Sequence, residues 1–285
     1  MANERDIPDG IKRAVRQRCG FGCVICGVPV YHYDHIIGWA ATERHVEAEI
    51  TLLCGLHHDL KTRQQLSQQT VERHNADPFN RRAGVTAPFG LDFGGARGTI
   101  RLAGSTFTYD GDFVAIVIDD NALLGFRHAE DGLALRFVLC NEFNEPELFV
   151  DDSVLVVDTR QWDIQYEGQV LTVRRGHRKI SLRVRFTPPD TIDIEKTVIA
   201  LNGIAIEADA NGLTLGSDPS LGGVVDGYFH GPVGINAGHS PRYGRLSGGL
   251  RYARVDRYGG RIQWASEPCE PGAGSDDGVG ADPRS

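Results

Sequence analysis

Cys23-Val24-Ile25-Cys26 and Cys54-Gly55-Leu56-His57-His58-Asp59-Leu60-Lys61 are two metal-ligand pairs with the same two-residue gap, and Tyr33-Asp34-His35-Ile36 lies between them. Cys23, Cys26, Cys54 and His57 offer three thiolates and one imidazole, the ligand set and spacing of a tetrahedral structural Zn2+ site. Such a closed site holds together a unit with little core of its own, so that metal binding and folding become one event. The alternative is a set of ordinary buried thiols beside a core histidine. Asp34, His35 and His58 form a second, independent set. Neighbouring helix residues lie about 100° apart, so a zinc-bound His57 leaves His58 facing elsewhere, while consecutive strand residues Asp34 and His35 face opposite sides or splay from a twisted end.

Local patterns around this stretch suggest a small α/β unit. Ile11–Arg18 carries an apolar stripe of Ile11 and Val15 beside basic Lys12, Arg13, Arg16 and Arg18, which predicts a short helix. Cys19-Gly20-Phe21-Gly22 breaks it and delivers the first cysteine pair on a tight turn. Val28–Ile37 reads as a hairpin with Pro29 near the bend, Gly38–Glu49 as a polar loop, and Gly55–Thr62 as a helix after apolar Ile50-Thr51-Leu52-Leu53. A further helix is expected over Ser67–Ala76, ended by Asp77-Pro78.

After Pro88 the texture changes to short alternating runs. Thr99–Ala103, Phe113–Ile118, Leu133–Leu139, Ser153–Asp158, Gln169–Arg174 and Ile180–Phe186 favour strands, as do Ile192–Glu195, Val198–Leu201, Ile204–Ala208 and Leu213–Leu215. Asp110-Gly111, Asp131-Gly132, Asn202-Gly203 and Asn211-Gly212 are turn signals between many of them. Residues 219–249 are Gly-rich and read as long loops, with Leu250–Val255 and Arg261–Trp264 as closing strands. The expected fold class is α+β: a small metal-stabilised domain over 1–85, a mostly-β sandwich or solenoid over 86–265, and a disordered tail over 266–285.

The formal charge of −8 is uneven. Residues 1–85 carry 11 Lys/Arg against 10 Asp/Glu, leaving 19 against 28 for the remainder of the chain. A nucleic-acid contact therefore belongs to the first third and must rest on a local patch, and an acidic β domain is a poor general DNA clamp. Of six cysteines, Cys19, Cys140 and Cys269 lack framework spacing, which argues for metal and against disulfides. The first residues lead into no apolar core and no apolar run has membrane-spanning length, so the expected location is cytoplasmic with no membrane partner.

With Asp34-His35-Ile36 and His57-His58-x-x-Lys61 added to the cysteine pairs, residues 12–63 resemble the HNH (ββα-metal) endonuclease family. Its common form has a cysteine pair before the Asp-His element and a second Cys-x-x-Cys immediately followed by His; here His57 replaces the last Cys. The resemblance implies a β hairpin and a helix clasping one catalytic ion. His35 would be the general base, Asp34 and His58 would hold Mg2+ or Mn2+, and Lys61 would stand near phosphate. The family's orienting Asn falls on Glu49, a carboxylate that can hold Nδ1–H of His35 or join the metal. The chemistry is coherent by itself: an imidazole titrating near neutrality takes a proton from water, and a carboxylate with an imidazole leaves open positions on one ion to relieve charge on a phosphodiester.

The expectation is thus a metal-dependent endonuclease acting on DNA, with RNA as an alternative substrate. Arg16, Lys61 and Arg63 are candidate phosphate contacts, and Arg13, Arg18, Arg81 and Arg82 extend the rim. The rival is a non-enzymatic zinc-stabilised nucleic-acid or protein-binding module with a degenerate site. For the β domain, candidate roles are recognition of a regulatory ligand or protein, and homodimerisation that would pair two single-strand cutters. Nucleases fused to sensors in bacterial antiviral defence share this architecture by analogy.

Overall fold

Two hydrophobic cores of very different size organise the chain. The structure, a computed structural model, describes residues 6–39, 43–215, 226–246 and 249–252. In the N-terminal region, helix α1 (Asp9–Cys19) turns Val15 and Cys19 inward. Gly20 ends it in the left-handed conformation at φ 71°, and the Phe21 N–H returns to the Arg16 carbonyl at 2.9 Å. Strand β1 (His32–His35) pairs antiparallel with β2 (Ile50–Leu53), setting His32 opposite Leu53 and His35 opposite Ile50. Helices α2 (Gly55–Thr62), α3 (Gln68–Ala76) and α4 (Phe79–Ala83) follow. Ser67 caps α3 by accepting the Thr70 N–H at 3.1 Å. Val15, Cys19, Cys23, Val24, Ile36, Ile50, Leu52, Leu53 and Val71 make up the small core.

The hairpin expected over Val28–Ile37 does not form. Its first half belongs to the cysteine turn, where the Val28 carbonyl accepts the Cys23 N–H at 3.0 Å. Its second half pairs instead with β2, whose four residues are all buried and supply an apolar partner that Val28–Val30 could not.

The second core lies between two sheets. Its strands are β3 (Phe89–Gly90), β4 (Thr99–Leu102), β5 (Ser105–Thr108), β6 (Phe113–Ile118), β7 (Asn121–Ala129), β8 (Gly132–Cys140), β9 (Pro146–Asp151), β10 (Val154–Val157) and β11 (Asp163–Glu167). There follow β12 (Val170–Gly176), β13 (Lys179–Thr187), β14 (Thr191–Leu201), β15 (Ile204–Asp209), β16 (Gly212–Leu215), β17 (Tyr228–His230), β18 (Val233–Ala237) and β19 (Leu250–Tyr252). The eight-stranded sheet runs β19-β18-β6-β7-β8-β9-β10-β3. The nine-stranded sheet runs β11-β12-β13-β14-β4-β5-β17, with β15 and β16 continuing from the far half of β14. Residues of both sheets share one core, β8 facing β14 across it. Mostly antiparallel hairpins on one core make this a sandwich, which decides against the solenoid.

The strand readings are corrected at several places, and β3, β5, β7, β9 and β11 lie outside the runs expected to form strands. Ile192–Glu195 and Val198–Leu201 are one strand, β14, with the register against β13 shifting between Arg183 and Val184 so that Glu195 is bulged. Residues 219–249, read as loops, contain β17 and β18, which insert in parallel beside β5 and β6. The first closing strand is seen over Leu250–Tyr252, whereas Arg261–Trp264 and the tail from 266 lie outside the described residues. Among the described residues the α-helices all precede Gly84, so the chain combines a few helices with a large β portion.

The two cores meet closely. Phe21, between α1 and the first cysteine pair, is buried in the sandwich core. Helix α1 packs on β11, and the Thr86 N–H reaches the Val157 carbonyl at 2.9 Å. No helix among the described residues is long and apolar enough to cross a membrane.

Candidate metal centre and adjoining cavity

Cys23 and Cys26 sit on a turn closed by the Gly27 N–H to the Cys23 carbonyl at 2.8 Å. Cys54 is the N-cap residue of α2 and His57 lies in that helix's first turn. The four donor atoms come within 4.8 Å of one another. Cys26 Sγ is 3.7 Å from Cys54 Sγ, and His57 Nδ1 is 3.4 Å from Cys23 Sγ and 3.2 Å from Cys54 Sγ. Donors held at about 2.3 Å (sulfur) and 2.0–2.1 Å (nitrogen) by one tetrahedral ion stand about 3.5–3.8 Å apart, close to these spacings. The set fits a metal ion such as zinc. A hydrogen bond from Cys26 pulls the Cys23 thiol down to about 4, and the same contact holds the Cys26 thiol well above its ordinary value. A divalent ion is what would let both be thiolates together.

Asn80 completes the turn, and nothing in the sequence pointed to it. Its buried amide donates to the carbonyls of Gly20 and Gly27 at 2.8 and 2.9 Å, and the Phe79 N–H bonds the Val24 carbonyl at 3.0 Å. A β-carbon on Gly27, at φ 79°, would meet Asn80 Oδ1 at 2.3 Å. Helix α4 thus clamps the cysteine turn from behind.

The second set converges beside the first. The pairing of β1 with β2 brings Asp34 against α2, where its Oδ1 is 3.6 Å from His58 Nε2. Two donors each about 2.1 Å from one small divalent ion have a separation of this order. Lys61 Nζ donates to Asp34 Oδ2 and, at 2.6 Å, to the His35 carbonyl. His35 ends β1, and its Nε2 lies 3.3 Å from Nδ1 of His45. Trp39 packs its ring 5.1 Å from His35 and 4.7 Å from His45. Burial and the neighbouring His45 lower the His35 pKa below its ordinary value. Asp34, His35, His58 and Lys61 line a common cavity of about 670 Å3, which Thr62, Gln64, Ser67 and Gln68 also line. The sequence places His45 in a loop as a lesser candidate for touching the site and does not mark Trp39; a lone aromatic after a glycine carries no local signal.

Glu49 makes no hydrogen bond to His35. Its Oε1 accepts from Arg44 at 2.6 Å, its Oε2 is buried without a hydrogen-bond partner, and its carbonyl accepts the Ile36 N–H at 2.8 Å. It bears on His35 through charge alone, as a weak upward pull on the imidazole.

Arg16 is not a phosphate contact. It is buried and forks onto Asp163 at 2.7 and 2.8 Å, because a guanidinium on the face of α1 that packs on β11 must be paired. Arg13 lies over the Trp162 ring at 5.0 Å, Arg18 bonds Asn75 and the Ile50 carbonyl, and Arg81 bonds the Gln17 carbonyl. Arg63 pairs with Asp59 within α2 and remains exposed. Much of the expected rim is thus engaged inside the protein.

No family model, curated protein or solved structure matches the chain.

Proposed function

We propose that this protein is a metal-dependent endonuclease of the HNH type, hydrolysing phosphodiester bonds in DNA. The observation that carries the reading is the convergence of Asp34, His35 and His58, from β1 and α2, on one open cavity beside the Cys3His cluster. Zinc at Cys23, Cys26, Cys54 and His57 would tie the cysteine turn to the start of α2, and Asp34 and His58 would hold the catalytic Mg2+ or Mn2+. An ion held there would supply charge relief on the scissile phosphate and the departing 3′ oxygen. His35 takes the proton of the attacking water through its imidazole. Lys61, already against Asp34, brings a cation to the phosphate-binding wall. The polar side chains that also line the cavity, Thr62, Gln64 and Gln68, suit backbone contacts without reading bases.

One observation favours a non-enzymatic binding module: Lys61 neutralises Asp34, as it would in a site that has lost its ion. Plasmid nicking assayed across Mg2+, Mn2+ and Ni2+, with RNA in parallel, separates the two. His35→Ala is expected to lower the cleavage rate by about 10²–10⁴ while retaining bound zinc. Equal cleavage by that variant removes His35 from the mechanism, and no cleavage by the wild type under any ion leaves the binding module.

A further inference from the structure

A buried ion cluster joins the two cores at the strand that carries Asp34 and His35. Asp163, the first residue of β11, accepts from Arg16 Nε and Nη2 at 2.8 and 2.7 Å and from Arg174 Nη1 at 3.1 Å. The remaining nitrogen of the same guanidinium, Arg16 Nη1, donates to the Tyr33 hydroxyl at 2.7 Å. Tyr33 immediately precedes Asp34, and its backbone lies opposite Leu52 in the strand pair. The pair is a two-stranded sheet, so among the described residues no strand flanks the other edge of β1. Two-stranded pairs define their own geometry weakly. A planar guanidinium engaged through all three nitrogens has no freedom left to tilt, so the place of the Tyr33 hydroxyl follows from the place of Asp163.

We propose that Arg16 and Asp163 are positioning residues for the catalytic strand: through one guanidinium the sandwich holds Tyr33, and so sets where Asp34 and His35 stand in the cavity. The proposal takes what the strand does from the nuclease reading, but the coupling itself stands on the contacts alone. A plain interdomain staple would tie α1 to β11 and need no third bond to Tyr33.

The test uses the full chain with Tyr33→Phe, Arg16→Lys and the double variant. Tyr33→Phe keeps the ring that packs edge-on to Tyr31 and deletes only the hydroxyl. Each single variant is expected to lower kcat for Mn2+-dependent nicking about tenfold, with KM within about twofold. Zinc content is expected to stay at wild-type level. The double variant should fall no further than the weaker single, because both changes cut one path. Amide hydrogen exchange over 32–35 should quicken in all three. Wild-type kcat in Tyr33→Phe, additive losses, or a loss of zinc in step with activity would each overturn the proposal. If the wild type cleaves nothing, the nuclease reading fails by itself; exchange over 32–35 then decides the coupling, and unchanged exchange in Arg16→Lys overturns it.

Discussion

The N-terminal unit and the sandwich solve the same problem by different means. The N-terminal unit closes nine buried apolar side chains around two short strands and a few helices, whereas the sandwich packs several times as many between two sheets. Apolar burial contributes roughly 25 cal/mol per Å2, so the smaller unit gains far less from its core against a similar entropy cost per residue. A metal ion at the Cys3His cluster would fill that gap, where the cysteine turn, the end of β2 and the start of α2 converge. The lesson is a division of labour: the sandwich is held by area, and the unit carrying the candidate chemistry is held by a few directional bonds. Such bonds can be broken one at a time, and each break should leave the sandwich standing.

Metal removal is the strongest way to test that contrast. Structural zinc contributes about 10–16 kcal/mol in small metal-dependent units. Chelation, or Cys54→Ser, is expected to unfold the region around β1 and α2 while the sandwich keeps its β-sheet circular dichroism and its own melting transition. Simultaneous loss of both would show that the two cores form one cooperative unit. A core deletion should do the reverse. Leu124→Ala, at a fully buried position of β7, is expected to cost about 2–5 kcal/mol of sandwich stability with zinc stoichiometry unchanged. The smallest effect is expected at the surface. Arg127→Ala breaks an ion pair with Asp152 whose two side chains are 53% and 61% exposed, and should shift stability by no more than about 0.5 kcal/mol, read from the denaturant midpoint.

The same contrast explains what could be read from the chain. Ligand spacing is a local property, fixed by how far apart thiolates on a turn and a helix can be, so the Cys3His set was legible and so was α2. Hairpins were legible where the turn carried Asn-Gly: Asn202 and Gly203 adopt φ 51° and 78° between β14 and β15. They were missed where the same left-handed turn is built without glycine. Asp119-Asp120 (φ 47° and 66°) joins β6 to β7, and Asp152-Ser153 (φ 47° and 61°) joins β9 to β10, so β7 and β9 went unseen. In the first of these the left-handed backbone is supported by the Asp119 carboxylate, which accepts the His239 N–H at 2.9 Å and the Asn202 amide at 3.1 Å. Those partners are far away in sequence. Arg16 failed for the same reason: a basic residue on a helix reads as surface until Asp163, 147 positions later, comes to meet it. Sheet order, with β18 beside β6 and β17 beside β5, is equally non-local.

The insertion of β17 and β18 beside β5 and β6 also sets a timetable. A ribosome adds about 5–20 residues per second, and domains fold as units as they emerge. The cysteine ligands, complete by His57, are available many seconds before β18, and sheets that join distant segments are slow to close in any case. Zinc can therefore organise the N-terminal unit while the sandwich is still being made, and Asp163 reaches Arg16 only afterwards. On the positioning role proposed above, a nascent chain holds its metal before its cutting strand is set, and competence arrives with the last strands of the sheet.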